Sequence, residues 1–556
     1  MKKITKISFL AVLAFLLVPV SCINDLDTLP LNETDATSET AYAEPASYLN
    51  GLAYIYGYWA LVSQGDAGSS DISVSDAGQS ELARMYMVLN ELSTDSFKII
   101  WGDNYVAPIQ YQRWTSADNE AIIAVYTRCM KGITLVNEYL IQTDDEKLDE
   151  RGHSGEKETI HGYRVEARFN RALFYYLLLD LFGNPPFAME ENIGGDLPKQ
   201  IQRKDLYDWL EAELLELANS PDMPSKGQVP YPRATKGSVW AVLARMYLNA
   251  EVYTGTAQWQ KAKDAATSVI NMGYSLHPNY QELFMQDNTT NGATQEFIYA
   301  VSYDKDHTQS WGGTTHLVSA TLSSDANKAI AQNLGLSGLL NPETWNGYHV
   351  ADDYVQRFEL SGVQWGAKEG FGYDREKSDK RAFFYNIGST KEFDNTTTDT
   401  GWRCWKFTGL YSDGHTVSDA ESNYTFSSID FPIFRLAEMY LIHAEADARM
   451  SGGEVSDPIS KGYIDQLRER AGVASKTPST LTLDWLLNER ARELMWEGHR
   501  RTDLIRYGYF TSMQFPWTLK GGVMNGKVSL PEHRKIYPII LDDLNANPNL
   551  VQNPGY

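Results

Sequence analysis

Cys22 is the residue whose position most directly predicts covalent chemistry. Lys2, Lys3 and Lys6 make a basic start, Ile7 to Val20 is almost unbroken apolar chain, and Ser21 precedes the cysteine. An apolar run that short cannot cross a bilayer, so residues 1–21 read as a secretory signal peptide. Two readings follow: Cys22 becomes the first residue of the mature chain and carries acyl groups, which hold the protein to a membrane without crossing it, or the signal peptide is an ordinary one and the cysteine is incidental. Three tryptophans offer a second chemistry. Trp101 precedes Gly102-Asp103-Asn104, Trp311 precedes Gly312-Gly313, and Trp345 precedes Asn346-Gly347. These turn-forming contexts favour exposed rings, and the Gly-Gly pair lets a ligand approach the backbone. A flat exposed indole stacks on the C–H face of a sugar ring. On the scale of ring–ring contacts, each such contact is worth about 0.5–1.5 kcal/mol.

Composition is that of a globular protein: 556 residues, 43% hydrophobic and 22% charged. Aromatic residues reach 12%, more than a core alone requires, which leaves rings for stacking surfaces. A net charge of −23 opposes nucleic acid and anionic lipid as partners. After Cys22 only Cys129 and Cys404 remain, too few for a disulfide framework or a zinc site, and both read as free and at least partly buried. There is no G-x-S-x-G, Walker loop or H-E-x-x-H, and the ten histidines show no metal-ligand spacing. With 72 acidic residues, nothing singles out a carboxylate pair for glycoside hydrolysis.

The elements that must position the tryptophans are mostly helical. Residues 23–45 form a polar tether. Apolar periodicity predicts helices over 118–142, 163–182, 203–218, 235–251, 258–271, 433–450, 458–471 and 482–499. Gly183 and Pro185-Pro186 stop the second. Ala-rich contacts between 235–251 and 258–271 have the pattern of a tetratricopeptide unit. Between 275 and about 430, Gly, Asn, Thr, Ser and Asp are dense, with short strands at Glu296–Tyr303 and Trp402–Phe407. Trp402 and Trp405 alternate faces there and read as structural. The predicted fold class is therefore mostly α, tetratricopeptide-like helical pairs forming a scaffold with a loop-rich insertion carrying short strands. Its parts are the signal peptide 1–21, the lipidated N-terminus and tether 22–45, a helical scaffold 46–274, the insertion 275–430, and C-terminal helices and tail 431–556.

The run from Asn488 to Gly508, with Glu489, Arg492, Glu493, Trp496, Glu497, Gly498, Arg500, Arg501 and Asp503, resembles the signature of the SusD/RagB family of Bacteroidetes surface lipoproteins. Three more segments agree in order: Glu166–Tyr176 leading to Asp180–Gly183, Pro432–Ala446, and Tyr537–Tyr556. Val20-Ser21-Cys22 resembles the lipobox, and Asp25 and Asp27 the acidic surface-export signal. Within the signature the charges recur at i,i+3 and i,i+4, which predicts ladders of exposed pairs worth about 0.3–0.5 kcal/mol each.

What the resemblance implies is non-catalytic binding of starch or α-1,4-glucan at the outer membrane and delivery to a SusC-like TonB-dependent transporter. Against the starch-binding members of the family, Glu91–Asp95 and Trp101–Asn104 fall in a glycan-contacting stretch. Asp76, Arg84 and Asn104 fall on polar contact positions, and Trp101, Trp311 and Trp345 on three stacking rings. Asp287–Asn291 falls where those members have a more acidic, calcium-associated loop. This chain lacks the second carboxylate, so no cofactor is expected. Binding of another glycan or of peptides by the same fold, and a surface glycoside hydrolase, are the alternatives.

Overall fold

The helices fall largely where apolar spacing puts them. In this computed structural model, which describes residues 37–117, 119–365, 370–388, 400–416 and 425–556, Glu120–Gln142 packs against Lys157–Leu181. Gly183 ends the latter in the left-handed region (φ 74°), its N–H donating to the Leu178 carbonyl at 2.9 Å. Arg203–Asn219 packs on that helix and on Lys236–Leu248. Lys236–Leu248 then pairs with Trp259–Ile270. Ala241 and Ala244 on one, and Ala262, Ala265 and Ala266 on the other, are buried. Such small residues let neighbouring helices approach closely. Leu436–Met450 covers Trp259–Ile270 and is followed by Pro458–Arg470. The fold is mostly α, built from tetratricopeptide-like helical pairs with small sheets. Leu49–Tyr556 form one compact unit; in Met1–Tyr48 the described part holds the short Ser38–Ala41 helix, capped by Thr37. Cys22 lies outside the described residues.

Antiparallel strand pairing positions the rest. Phe297–Val301 pairs with Phe431–Arg435. Phe97–Ile99, Tyr348–Val350, Gly401–Cys404 and Phe384–Ile387 form a four-stranded sheet in that order. Trp402 and Trp405 are both fully buried, as are Cys129 and Cys404.

Two predicted helices are shortened by tertiary partners. The 433–450 helix starts only at Leu436, because residues 431–435 are drawn into strand pairing. The 482–499 helix stops at Glu493. Buried donors capture its last carbonyls: Tyr280 and Arg435 donate to the Glu493 carbonyl, and Lys406 to that of Met495. With those acceptors satisfied from outside, the chain is free to turn. Trp496 enters the left-handed region (φ 60°), Gly498 follows (φ 79°), and a new helix runs Arg500–Arg506.

The signature charges are not exposed ladders. Glu489, Arg492, Glu493, Glu497, Arg500 and Arg501 are all buried, and most of their partners are distant in sequence. Glu493 meets Arg435 at 2.7 Å, Arg381 at 3.0 Å, and Arg470. Glu489 meets Arg381, Arg468 and Arg492 at 2.7, 3.1 and 2.7 Å; Arg500 holds Asp95 with two bonds of 2.7 and 2.8 Å. Burial alone would raise the Glu489 carboxyl, but Arg381, Arg492 and Arg468 outweigh it and hold it at about 2.

Glu91 is the exception. It accepts from the Gly498 N–H at 3.0 Å and the Ser96 hydroxyl at 2.6 Å, and burial pushes it up to about 7. A raised acid binds its proton more tightly folded than unfolded, so stability falls as pH rises from about 4.5 to about 7. Glu91→Gln keeps an acceptor for Gly498 and can donate to Ser96. It is expected to stabilise the protein at pH 8 by roughly 1–3 kcal/mol and to have no effect at pH 4, read by urea unfolding. Equal stability of the two proteins at pH 8 would refute this.

Candidate functional site

The four-stranded sheet brings two of the tryptophans together. Phe97–Ile99 runs antiparallel to Tyr348–Val350, so the residues just past the first strand lie beside those just before the second. The pairing continues as Ile100 N–H donates to the Gly347 carbonyl at 3.1 Å. Trp101 and Trp345 thereby meet with ring centroids 6.4 Å apart and planes turned 51°, and the Trp101 indole N–H donates to the Trp345 carbonyl at 3.2 Å. The Gly313–Ser319 helix delivers the third ring from its N-terminal side. Trp345 N–H donates to the Ser319 carbonyl at 2.8 Å, and Trp311 lies 6.2 Å from Trp345, turned 48°. All three indoles are half-buried. Trp345 is thus the central ring, a position that the sequence left open. Neighbouring rings are thus tilted by about the same angle at both contacts.

The polar residues gather at the same place. Arg84 is buried, sits 6.0 Å from the Trp345 ring and donates to the Trp311 carbonyl at 3.1 Å. It therefore bridges two rings from behind. Asp76 lies 3.7 Å from Arg84, with half its side chain exposed, and its carboxylate caps the Ala77–Ser80 turn by accepting from Gln79 N–H at 3.0 Å. Gln79 donates to Asp103 at 2.8 Å, tying that turn to the Trp101–Asn104 segment. Asn104 is exposed beside Glu120, which also accepts from Ser75 at 2.6 Å. All six residues predicted from the sequence are brought together.

Two expectations about neighbouring residues change. Gly312-Gly313 does not open the backbone to a ligand. A Cβ on Gly312 would sit 2.4 Å from Glu81, and one on Gly313 would sit 2.3 Å from Tyr303. Buried Glu81, its carboxyl pushed up by desolvation, accepts from Gly313 N–H at 2.9 Å and Tyr303 hydroxyl at 2.6 Å. The glycines admit this buried acid, which fixes Trp311. Glu91–Asp95 does not reach the surface either, because these residues are the buried partners of the signature segment. Asp287 accepts from Ser412 N–H at 3.1 Å and from its hydroxyl, while Asn288 is buried in hydrogen bonds to Leu283 and Asp430. Among the described residues no group of three or more His, Cys, Asp or Glu could hold a metal ion.

Sequence reasoning missed His316, Tyr348 and Phe426. Phe426 packs 5.0 Å from Trp311. His316 is fully buried 6.3 Å from Trp101 and 6.1 Å from Trp345, and burial and then Arg84 hold it well below its ordinary pKa, so the imidazole is neutral. Tyr348 stands edge-on to Trp101 at 5.6 Å and rests on Trp496 at 4.9 Å. The family-signature tryptophan therefore underlies the exposed rings. No local pattern marks these residues, since their roles arise from strand pairing.

Gly347 is required at the foot of this array. A Cβ there would lie 2.1 Å from the Trp101 indole. Gly347→Ala is expected to push that ring aside and cost about 1–3 kcal/mol by overpacking. Altered indole fluorescence and near-UV circular dichroism would report it; unchanged spectra would show that the ring does not rest on the glycine.

The sequence and the fold have counterparts among known proteins. Residues 295–556 match the family model described as SusD family, and residues 72–248 one described as starch-binding associating with outer membrane. The chain is 34% identical to the starch-binding protein SusD of Bacteroides thetaiotaomicron over 96% of each chain. It is 24% identical to SusD-like protein P2 of Formosa agariphila, over 75% of this chain and 79% of that one. Surface glycan-binding protein A from Bacteroides uniformis superposes with a TM-score of 0.67 at 19% identity, over 92% of this chain and 99% of that one. The same-named protein from B. thetaiotaomicron, solved with laminarihexaose, gives 0.66 at 17%, with the same coverage. Motifs in register from the helical scaffold to the C-terminus, the shared fold and near full-length identity lead to one conclusion: this chain belongs to the SusD family.

Proposed function

We propose that the protein binds starch-type α-1,4-glucan at the cell surface without cleaving it and hands oligosaccharides to a SusC-like TonB-dependent outer-membrane transporter. The observation that carries this reading is the array Trp101–Trp345–Trp311, half-exposed, with neighbouring rings tilted by 51° and 48°. An α-1,4-glucan is itself helical, and a turning surface follows it better than a flat strip. Asp76 and Asn104 at the rim supply an acceptor and a donor for sugar hydroxyls, and buried Arg84 orients Trp311 and Trp345 from behind. Such groups set orientation and linkage. The relative that is 34% identical carries starch-binding in its name. Three contacts of modest energy give micromolar or weaker affinity for a short oligosaccharide, and simultaneous contacts along a polymer strengthen retention. Acylated Cys22 and the polar tether up to residue 45 hold the fold at the outer membrane, facing outward. No cofactor takes part.

Affinity electrophoresis tests the reading. The protein is expected to be retarded in amylopectin but not in laminarin, and maltoheptaose incubated with it is expected to remain intact. Equal retardation by laminarin would transfer the site to another glycan, and chain shortening would make the protein a hydrolase. Co-purification of the lipidated chain with a TonB-dependent transporter tests the delivery step.

A further inference from the structure

A second, polar cleft of about 420 Å³ opens elsewhere on the molecule, a volume within the range of small-molecule sites. Its floor is Arg470, buried and neutralised by Glu296 at 2.6 Å and by Glu493. One side is aromatic: Tyr280 and Phe383, both buried, stack nearly parallel, 6.1 Å apart at 10°, and half-buried Tyr373 lines the cleft with them. Gln281 adds a side-chain amide, while Asn279 caps the Tyr280–Phe284 turn, accepting from Gln281 N–H at 3.2 Å and donating to Glu282 at 2.7 Å.

Charge at the mouth is the unusual feature. The chain is strongly acidic, yet two cations line this cleft, and neither forms an ion pair among the described residues. Arg375 lies over Phe371 at 4.6 Å and Trp405 at 5.2 Å, which orients its guanidinium without neutralising it. Lys380 is anchored by its backbone N–H, which donates to the Ala471 carbonyl at 3.0 Å. Its stem crosses Gly472, where an added Cβ would lie 3.0 Å from the Lys380 Cε. Arg375 is thus held by aromatic contacts, and the stem of exposed Lys380 is fixed at its base. Of the two carboxylates lining the cleft, Asp379 is already held by Arg381, with bonds of 2.9 and 2.8 Å, and only exposed Glu376 opposes the cations.

We propose that this cleft is a binding site for a small saccharide bearing an oxyanion, with Arg375 and Lys380 taking the carboxylate or phosphate and the Gln281 amide and half-buried Tyr373 taking the ring. Unpaired cations beside a polar floor select an anionic group, and the Gln281 amide supplies a donor and an acceptor for sugar hydroxyls. The site uses none of the tryptophan array and does not depend on the glucan reading.

Titration calorimetry on the whole chain tests it, with sodium glucuronate, glucose 6-phosphate, glucose and inorganic phosphate as separate ligands at constant ionic strength. Either sugar anion is expected to bind at least tenfold more tightly than both glucose and inorganic phosphate, and which one binds identifies the oxyanion. Arg375→Gln with Lys380→Gln is expected to remove that binding while the melting temperature and amylopectin retention stay unchanged. Trp101→Ala with Trp311→Ala is expected to leave it intact. Glucose binding as well as the anions, inorganic phosphate binding as well as the sugars, no binding by either sugar anion, or full binding by the Gln variant would each overturn the proposal.

Discussion

Trp101→Ala combined with Trp311→Ala is expected to abolish retardation in amylopectin gels. Two of three stacking contacts disappear, each worth about 0.5–1.5 kcal/mol. That sum corresponds to a loss of about 5- to 150-fold for a short oligosaccharide. On a polymer the effect compounds, because retention there depends on simultaneous contacts. The rings are half-buried, so the substitutions also carry a structural cost. Fully buried Trp→Ala changes cost about 3–5 kcal/mol each, and partial exposure brings this pair to roughly 1–3 kcal/mol together. Binding and unfolding should be measured on the same samples. If retardation persists in a folded double variant, the array is not the glucan site. If the protein no longer folds, Trp311→Ala alone, which leaves the Trp101–Trp345 contact in place, decides the question by its retardation.

The largest effect on stability is expected from Glu493→Ala. This carboxylate is fully buried against Arg381, Arg435 and Arg470. Removing it leaves three guanidinium groups short of a partner inside the protein, a loss of about 3–5 kcal/mol. An exposed helical pair makes the contrast. Asp208→Asn, which breaks the Lys204–Asp208 contact between side chains more than half exposed, is expected to cost at most about 0.5 kcal/mol. The same network sets the acid limit of the fold. Burial tends to raise Glu493, Glu489 and Glu445, but the surrounding arginines hold all three below the ordinary carboxylate range. A lowered carboxylate stabilises the fold above its unfolded pKa, and that contribution is lost as pH falls below about 4.5 towards 2. Wild type is therefore expected to lose stability steeply over that window, and Glu493→Ala less so. A variant that melts with wild type would mean the arginines find other partners.

Much of the scaffold was legible because helix burial is periodic. Phe169, Leu173, Tyr176 and Leu177 mark the apolar face of the 157–181 helix, and Gly183 marks its end, from sequence alone. The helix boundaries at Leu436 and Glu493 were not legible. In the first case a distant strand, and in the second distant donors, compete for the same backbone groups. The signature charges misled for a related reason: i,i+4 spacing is the same whether a helix face is wet or dry, and only packing decides between 0.5 kcal/mol and several.

The candidate site divides in the same way. Trp101, Trp311, Trp345, Asp76, Arg84 and Asn104 were named from residue type, turn context and family resemblance, and those cues are local. That Trp345 is the middle ring, that Arg84 stands behind two rings, and that His316 and Trp496 lie beneath them follows from strand pairing between residues about 250 positions apart. Local sequence determines which side chains are able to stack on a sugar. Their spacing and tilt are set by long-range hydrogen bonds and close packing, which only the folded chain supplies.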